Sequence, residues 1–360
     1  MSKVIIGLSG GVDSAVAALL LLEQGHDLGA VFMKNWDEDD DAGYCPAQQD
    51  LEDAGAVAGL LGIELRTVSF ASEYWDRVFE FFLAECRAGR TPSPDIICNR
   101  EIKFRAFLDH AAGLGADYIA TGHYARIEQQ PRVRLLKGVD ESKDQTYFLH
   151  TLEQKQLARS LFPLGALRKP EVRRMARAAG FPNHDKKDST GICFIGERRF
   201  SSFLSRYIEK NPGEIRTLDN TVIGTHEGLM FYTIGQRQGL GIGGRKQASG
   251  EPWYVAGKDM SANVLYVVQG KDHPALFAGG LRASKLHWIS GVSPDAITGC
   301  TARIRHQQPV QSCTLHPAPD NACNVVFATP QRAIAPGQSV VFYDGDECLG
   351  GAIIEEAIKD

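Results

Sequence analysis

The sequence lacks the features that direct a protein into or across a membrane. None of its apolar runs approaches the roughly 18 residues that a membrane-spanning helix needs. The first residues follow a strand pattern, with neither a signal peptide nor an Arg-rich presequence. These absences predict a cytoplasmic protein.

Cysteine pairs at metal-binding or redox spacing are also missing. Eight cysteines stand at irregular intervals among 360 residues, and no two of them form a CxxC pair. This distribution suits neither a disulfide framework nor a zinc ribbon, and it predicts that most of the cysteines are small buried side chains.

An excess of basic charge is a third absence. The formal net charge is −5 and the pI is about 6.1, which argues against a protein that coats nucleic acid indiscriminately. A nucleic-acid partner would need a local basic surface. Residues 167–177 offer one, with five basic residues against one acidic residue.

The composition is otherwise that of an ordinary soluble protein, with 43% hydrophobic and 23% charged residues. A chain of 360 residues exceeds what one hydrophobic core usually serves. We therefore expect two or three domains, and no internal repeat is visible.

The chain is organised around SGGVDS, residues 9–14, which follows a β-branched run and precedes an apolar run to Leu22. This order predicts strand, phosphate loop and helix. Gly10 and Gly11 let the backbone approach a ligand, and the helix N–H groups point at an anion. Asp13 suits such a site if the ligand brings a cation, so we expect it to face Mg²⁺. The alternative is an ordinary strand-to-helix turn with a capping Ser or Asp.

The same motif is neither a Walker loop nor GxGxxG. It resembles the pyrophosphate loop of enzymes that cleave ATP to AMP and pyrophosphate to adenylate a carbonyl oxygen. The motif indicates a reaction type and leaves the substrate open.

Strand and helix patterns alternate after the loop, which predicts a parallel sheet with helices on both faces. Ligands of such sheets lie beyond the carboxyl ends of the strands, where the loop also lies. The predicted elements are strands at Leu28–Lys34, Glu64–Phe70 and Asp117–Ala125, and helices at Gln48–Leu61, Glu73–Arg87 and Glu101–Leu114.

Two cysteines stand in unusual settings. Cys98 follows a rigid Pro-x-Pro-Asp segment, and Asn99 could cap the next helix, so Cys98 would lie near a helix N-terminus beside Arg100 and Lys103, which favours a thiolate. A buried structural cysteine is the alternative. Cys193 lies in a glycine-punctuated polar segment beside basic residues and is a candidate reactive thiol.

His123, in Thr-Gly-His-Tyr, follows a strand end and could reach a ligand at the sheet edge, although a lone histidine is more often structural. From Gly213 short β-rich runs replace the helical period, among them Phe231–Ile234. We therefore predict three domains: a catalytic domain at 1–208, a small β-rich central domain at 209–278 and an antiparallel β-barrel at 279–360.

The motifs SGGVDS, TPSPDIICNREIKF, TGHYA, KDQTYF and GICFIGE occur in this order, followed by a β-rich tail with FYTIGQRQGLGIGG. The sequence resembles the tRNA-specific 2-thiouridylases along essentially its whole length. The resemblance implies a pyrophosphate-loop ATPase domain, a small central domain and a C-terminal β-barrel. It also implies ATP-dependent 2-thiolation of the wobble uridine of the tRNAs for Lys, Glu and Gln, with persulfide sulfur from a cysteine desulfurase or a sulfur-relay protein.

The resemblance further implies roles for individual residues. Cys98 would be the nucleophile, Cys193 would carry the persulfide, and Asp95 would be an acid–base residue in a base pocket lined by Ser93, Pro94 and Asp95. ATP contacts are implied for Gly7, Leu8, Ser9, Gly10, Gly11, Val12, Asp13, Ser14, Met33 and Gly122. Contacts to tRNA are implied for His123, Lys143, Asp144, Gln145, Arg305, His306 and Gln338. The chain has Ser93-Pro94 where the family has Asn-Pro, and Arg305-His306 where it has Arg-Tyr.

The required chemistry agrees with this interpretation. The C2 carbonyl of uridine is a poor electrophile until ATP turns its oxygen into a leaving group. Two thiols could then deliver sulfur, one bearing the outer sulfur and the other expelling it as a disulfide forms, and the base must be flipped from its stack. Two alternatives are an ATP-pyrophosphatase that amidates a small molecule, which would lack a glutaminase domain here, and a nucleotide-sensing or RNA-binding module without turnover.

Overall fold

Alternating side chains of the first strand pack into two separate hydrophobic layers. In β1 (Lys3–Gly7), Val4 and Ile6 join one cluster and Ile5 joins another. This is the period-two pattern of a strand buried on both faces. The arrangement comes from a computed structural model that describes residues 1–36, 46–129, 131–188, 200–242, 250–293 and 297–359.

The first sheet has five parallel strands in the order β3-β2-β1-β4-β7. The central strand β1 pairs with both β2 and β4, so their carboxyl ends meet at one edge. The other strands of this sheet are β2 (Asp27–Lys34), β3 (Leu65–Ser69), β4 (Tyr118–Ala120) and β7 (Ser160–Leu161).

Helices cover both faces of this sheet, which confirms the predicted α/β class. One hydrophobic cluster joins α1, α2 and α9 to the sheet, and another joins α4, α5 and α6 to its opposite face. The helices are α1 (Val12–Glu23), α2 (Pro46–Leu61), α3 (Ala71–Tyr74), α4 (Glu80–Arg87), α5 (Pro94–Cys98), α6 (Phe107–Gly113), α7 (Thr146–Leu149), α8 (Gln154–Leu157), α9 (Lys169–Ala178) and α10 (Phe200–Leu204). Wider π-helical turns at Trp75–Phe79 and Asn99–Ala106 link α3 to α4 and α5 to α6.

A four-stranded sheet follows in the order β10-β11-β8-β9. Its strands are β8 (Gly213–Arg216), β9 (Val222–His226), β10 (Trp253–Asp259) and β11 (Val264–Gln269). The predicted strand at Phe231–Ile234 is wrong, because Leu229–Phe231 forms a short 3₁₀-helix.

The C-terminal sheet closes on itself as a six-stranded antiparallel barrel, because β12 pairs with β17 as well as with β15. The remaining order is β15-β14-β13-β16-β17. Its strands are β12 (Phe277–Trp288), β13 (Ile297–Arg303), β14 (Gln311–Ala318), β15 (Ala322–Arg332), β16 (Ser339–Asp344) and β17 (Glu347–Ile358). Closure leaves the barrel with few unpaired edges.

A hairpin of the first domain extends the barrel sheet. Strands β5 (Ala125–Glu128) and β6 (Arg134–Lys137) form the hairpin, and β6 pairs with β17 through Leu135 and Leu136. The pairing fixes the barrel against the first domain. In the described part of the chain, no helix is both long and apolar enough to cross a membrane.

Candidate active site

The loop between β1 and α1 has the backbone of an anion cradle. Gly10 has φ +75°, and a Cβ there would lie 2.2 Å from the backbone oxygen of Asp50, so only glycine fits. Gly11 is the N-cap of α1, and no side chain caps the helix. Ser14 Oγ instead accepts from the Ser9 N–H at 3.2 Å and donates to the Gly11 carbonyl at 3.1 Å. The first helical turn therefore keeps N–H groups available for a phosphate.

Residues from three strands meet beside this loop. A Cβ on Gly122, just after β4, would lie 2.8 Å from the Ser14 nitrogen. A Cβ on Gly7 would lie 3.0 Å from the Met33 methyl group. Parallel register brings these strand ends together, and small residues there keep the sheet edge open to a ligand.

Asp13 is held by a buried lysine. Lys169 Nζ lies 2.8 Å from both Asp13 carboxylate oxygens, and the Tyr124 hydroxyl donates to Asp13 Oδ1 at 2.8 Å. The Lys169 side chain is only 8% exposed. Burial raises the pKa of Tyr124, and the neighbouring Asp13 charge raises it further, so the phenol stays protonated and donates.

Lys169 also contacts Asp188, which forms ion pairs with two further cationic side chains. Asp188 lies 2.7 Å from Lys169, 2.6 Å from Lys143 and 2.9 Å from Arg173. Partial burial opposes ionisation of Asp188, but hydrogen bonds from Lys143 and Lys169 outweigh it and lower the pKa to about 2. This charged network links the phosphate loop to the residue that stands five positions before Cys193 in the sequence.

Hydrogen bonds to the Gly10 carbonyl also hold the phosphate loop in place. The Asn183 side-chain amide donates to the Gly10 carbonyl at 2.9 Å, and Lys186 Nζ donates to it at 3.3 Å. Lys186 also pairs with Asp50 at 2.7 Å and with Asp53. The Gly10 peptide is thereby held with its carbonyl turned toward these donors.

The surroundings of Asp13 do not fit the predicted magnesium site. Both carboxylate oxygens already contact Lys169, so their charge is balanced by an ammonium group. Among the described residues no group of three His, Cys, Asp or Glu side chains could hold a metal ion. We therefore derive no step through a metal bound to Asp13.

Cys98 lies inside a helix rather than just before one. The helix starts at Pro94 with Ser93 as N-cap, so Cys98 is its fifth residue. The predicted start near Glu101, with Asn99 as cap, is wrong, because Asn99 continues the helix and donates its side-chain amide to the Phe148 carbonyl at 3.1 Å. Cys98 is fully buried among apolar side chains.

Ser93, Pro94 and Asp95 form the first turn of that helix. Pro94 is buried, whereas Ser93 and Asp95 are partly exposed. Ser93 lines a cavity together with His287 of the barrel strand β12. Burial lowers the pKa of His306 in the barrel, and the Asp95 charge opposes this shift. The predicted base-pocket residues therefore lie between the catalytic domain and the barrel.

His123 is a buried neutral side chain. It is 8% exposed, and its Nδ1 is 2.7 Å from the Thr121 hydroxyl. Burial holds the pKa of His123 well below its usual range. In this arrangement the imidazole supports the sheet edge and does not face the surface.

Lys143, Asp144 and Gln145 have separate surroundings. Lys143 is partly exposed beside Asp188. The Asp144 side chain is fully buried and pairs with Arg303 of β13 at 2.8 Å. Gln145 accepts a hydrogen bond from the Tyr124 N–H at 2.9 Å. Lys143 is thus the member of this group whose charge a polyanion can reach.

The barrel residues predicted to contact tRNA line the junction of the domains. Arg305 donates to the carbonyls of Ile234 and Ala333 at 2.9 and 3.0 Å. The His306 ring lies 4.4 Å from the Phe148 ring, centroid to centroid. Gln338 donates to the Thr91 carbonyl at 2.6 Å. These residues are brought close to the Ser93 turn, whereas Cys193 lies outside the described residues.

Comparisons with known proteins cover the whole chain. The family model for the "tRNA methyl transferase HUP domain" matches residues 2–197, that for the "tRNA methyl transferase PRC-barrel domain" matches 201–269, and that for the "Aminomethyltransferase beta-barrel domain" matches 278–354. The tRNA-specific 2-thiouridylase MnmA of Methylococcus capsulatus is 60% identical over 355 residues, 98% of this chain and 96% of that protein. The chain belongs to the tRNA-specific 2-thiouridylase family.

One further relative and one solved structure are also similar to this chain. The protein of the same name from Nitrosococcus oceani is 59% identical over 98% of this chain and 96% of its own length. A solved 4-thiouridine synthetase–RNA complex with bound ATP has a TM-score of 0.35 and 19% identity, and covers 57% of this chain and 50% of that chain. Values this low assign no residue.

Sequence reasoning missed Lys169 and Asp188 in this member of the 2-thiouridylase family. Lys169 was counted in a basic surface, yet Lys169, Val172 and Ala176 are the buried residues of α9. Their spacing of three and four residues is that of an apolar helical stripe. A lysine in such a stripe is a detectable sign of a buried ion pair. Asp188 carried no comparable signal, because its partners come from separate segments.

Proposed function

We propose that this chain is a tRNA-uridine 2-sulfurtransferase. It uses ATP to convert the wobble uridine of the tRNAs for Lys, Glu and Gln to 2-thiouridine, releasing AMP and pyrophosphate. The observation that supports this most directly is the uncapped start of α1 behind the Gly10 turn, where no side chain competes with a phosphate. A second support is the 60% identity to a 2-thiouridylase over 98% of this chain.

The first step is adenylation of the base. The C2 oxygen of uridine attacks the α-phosphorus of ATP, a P–O bond breaks, and pyrophosphate leaves. Residues Gly7–Ser14, with Met33 and Gly122, bind the nucleotide, and the loop N–H groups stabilise the charge that develops on the departing pyrophosphate. Lys169 positions Asp13 within this loop. Any magnesium would arrive with the ATP phosphates rather than be held by a protein-built site.

The second step transfers sulfur. Cys193 attacks the outer sulfur of a persulfide on a cysteine desulfurase or a relay protein, so that Cys193 becomes the persulfide and the donor cysteine leaves as a thiolate. The Cys98 thiolate attacks the inner sulfur of that persulfide, forming the Cys98–Cys193 disulfide and expelling the outer sulfur as hydrosulfide. Hydrosulfide attacks C2 of the adenylated base and AMP leaves with the former oxygen. The outer sulfur gains two electrons and the two cysteine sulfurs lose two, so a dithiol reductant must reopen the disulfide.

The flipped uridine enters the active site at the junction of the domains. Ser93, Pro94 and Asp95 line its pocket, and Asp95 moves a proton at the flipped base. The polyanion is met by Lys143 and by barrel residues including Arg305, His306 and Gln338. His123 supports the pocket from within, since its side chain is buried. A cytoplasmic location fits these substrates.

The experiment separates the two thiols. The protein, a radiolabelled persulfide donor, ATP and tRNA transcripts are combined, and 2-thiouridine, AMP and protein-bound sulfur are measured. Cys98→Ser should retain label but make no 2-thiouridine, and Cys193→Ser should do neither. Cys86→Ala is the matched control, because burial raises the pKa of that thiol to about 12 and keeps it inert.

The same assay distinguishes the alternatives. An amidating ATP-pyrophosphatase would form AMP with a small-molecule acceptor and without tRNA. An RNA-binding module would bind tRNA and form no AMP. Label retained on Cys193→Ser, or full activity of Cys98→Ser, would overturn the roles given to the two thiols.

A further inference from the structure

Two buried thiols face each other within the barrel. Cys300 of β13 and Cys313 of β14 are direct partners in the antiparallel register. Their Sγ atoms lie 3.5 Å apart. The side chains are 4% and 5% exposed, and the sulfur transfer proposed above uses neither of them.

The backbone positions of this pair suit a disulfide. Directly opposed residues of antiparallel strands have Cα atoms about 4.5 or 5.5 Å apart. Both values lie within the roughly 4.4–6.8 Å that a disulfide spans. Closing the sulfurs from 3.5 Å to the bonded length of about 2.05 Å therefore needs side-chain rotation and little movement of the strands.

A small molecule can reach this pair. Cys300 lines a cavity of about 360 Å³, whose wall also includes Val292. Val292 is 70% exposed, so the cavity opens to solvent. One water molecule occupies about 30 Å³ of liquid, which leaves ample room for an oxidant of two or three heavy atoms.

The contact between the two sulfurs shifts their pKa values in opposite directions. The hydrogen bond with Cys313 lowers the pKa of Cys300, although burial opposes this. The same contact raises the pKa of Cys313, and burial raises it further. Cys300 is the member of the pair that belongs to the cavity wall, so it is the thiol that a small oxidant meets first.

We propose that Cys300 and Cys313 form a second dithiol couple, which a hydroperoxide entering through the cavity oxidises to a cross-strand disulfide. The Cys300 thiolate attacks the terminal peroxide oxygen and the O–O bond breaks, giving a sulfenic acid and a hydroxide or alkoxide ion, which takes up a proton to form water or an alcohol. The Cys313 sulfur then attacks the sulfenic sulfur, the S–O bond breaks, and the oxygen leaves as water with the Cys313 proton. Two sulfurs lose two electrons and the peroxide gains two.

Two neighbouring cysteines serve as matched controls. Cys348 lines the same cavity, but its sulfur donates to the Thr146 carbonyl at 3.9 Å, and burial raises its pKa. Cys323 of β15 stands opposite Pro317 in the register, and burial raises its pKa to about 12. Cys348 therefore tests whether a place in the cavity wall is enough for oxidation, and Cys323 tests whether burial is enough. Neither has a cysteine directly opposite.

The test uses the reduced full-length protein without ATP, tRNA or sulfur donor, so it does not depend on the proposed function. Hydrogen peroxide is added, remaining thiols are alkylated, and tryptic peptides are analysed by mass spectrometry. We expect a disulfide joining peptide 286–303 to peptide 306–332, removed by dithiothreitol. Cys313→Ser should abolish the link, whereas Cys323→Ser and Cys348→Ser should keep it.

Three results would overturn the proposal: no link in the wild type, sulfinic acid on Cys300 in place of the link, or a link that survives Cys313→Ser. A measurement on the wild type alone covers the case in which a variant does not fold. Phenylarsine oxide bridges closely spaced thiols, so it should protect Cys300 and Cys313 from alkylation but leave Cys323 and Cys348 reactive on unfolding. Equal reactivity of all four would also reject the couple.

Discussion

At the scale of single residues, the phosphate loop depends on a lysine from a distant helix. Lys169 is buried and contacts both Asp13 and Asp188. Without Lys169, the partly buried carboxylates of Asp13 and Asp188 would lose one of the cations that balance their charge. A buried charge that loses its partner is strongly destabilising, so Asp13 would move out of its present geometry.

A double-mutant cycle tests whether Asp13 acts through Lys169. We expect Asp13→Asn and Lys169→Met each to slow pyrophosphate release by about 10²-fold or more, comparable to the loss of one preorganised hydrogen-bond donor at a transition state. The double variant should be no slower than the worse single variant, because both substitutions break the same ion pair. Pyrophosphate release in single-turnover assays is the measurement.

If the two losses multiply instead, Asp13 has an independent partner such as a metal ion. Arg174→Met is the control on the same helix. Its side chain is 74% exposed, so it should change the free energy of unfolding by less than about 0.5 kcal/mol.

At the scale of elements, helix α9 has one face that contacts the rest of the protein and one face that is exposed to solvent. Arg173 donates to the carbonyls of His184 and Lys186 and to Asp188, so it fastens the following segment. Arg174 points to solvent. The basic surface predicted for residues 167–177 is therefore smaller than its charge count indicates.

Charge reversal separates these faces. Arg174→Glu should weaken tRNA binding and reduce the slope of log K against log salt by about one unit, if the residue contacts a phosphate. Arg173→Glu should lower the unfolding midpoint instead, because it removes three internal hydrogen bonds. Binding titrations at several salt concentrations and thermal unfolding are the measurements, and an unchanged slope for Arg174→Glu would show that α9 is only a solvated face.

At the scale of the whole molecule, a buried ion pair joins the barrel to the catalytic domain. The Arg303 and Asp144 side chains are 10% and 0% exposed and lie 2.8 Å apart. Asp144 also accepts from the Thr146 hydroxyl at 2.9 Å, and Tyr147 donates to the Ser339 carbonyl at 2.9 Å across the same junction.

Removing one partner of this pair should be costly. We expect Arg303→Met to lower the free energy of unfolding by about 3–5 kcal/mol, because Asp144 would remain charged and buried. The control is Arg282→Met, which breaks an exposed pair with Glu356 in which both side chains are more than half exposed, and should cost less than about 1 kcal/mol. Urea unfolding measures both, and equal effects would mean that the junction does not depend on the buried pair.

The same junction predicts a dependence of stability on pH. Burial lowers the pKa of His150 to about 4, whereas an unfolded histidine titrates near 6.5. Between these values the unfolded chain binds a proton that the folded chain does not. The free energy of unfolding should therefore fall as the pH drops from about 6.5 to about 4, with up to about 3 kcal/mol from this residue.

Two variants test whether this pH dependence of stability comes from His150. The stability difference between the wild type and His150→Gln should shrink as the pH falls through this window. His316→Gln, at an exposed position of β14, should leave the pH dependence as it is in the wild type. Parallel curves for wild type and His150→Gln would contradict the assignment to His150.

The sequence by itself determined the local elements of this protein and the chemistry of its loop. Val4, Ile5 and Ile6 predict a doubly buried strand, and the turn at Gly10 follows from the residue types alone, because these signals depend on neighbours in the chain. The parallel sheet and the change to β structure after Gly213 were likewise visible. The helix containing Cys98 was placed too late, because Asn99 resembled a cap but bonds to Phe148.

Only the tertiary structure decided which charges meet. Lys169, Asp13 and Asp188 are separated by up to 175 positions along the chain, and the pairing of β6 with β17 joins segments just as remote. The side chain of Asp144 likewise became a buried support instead of a surface contact. Ion pairs and sheet edges of this kind depend on how whole layers pack, and no local pattern of residues records that.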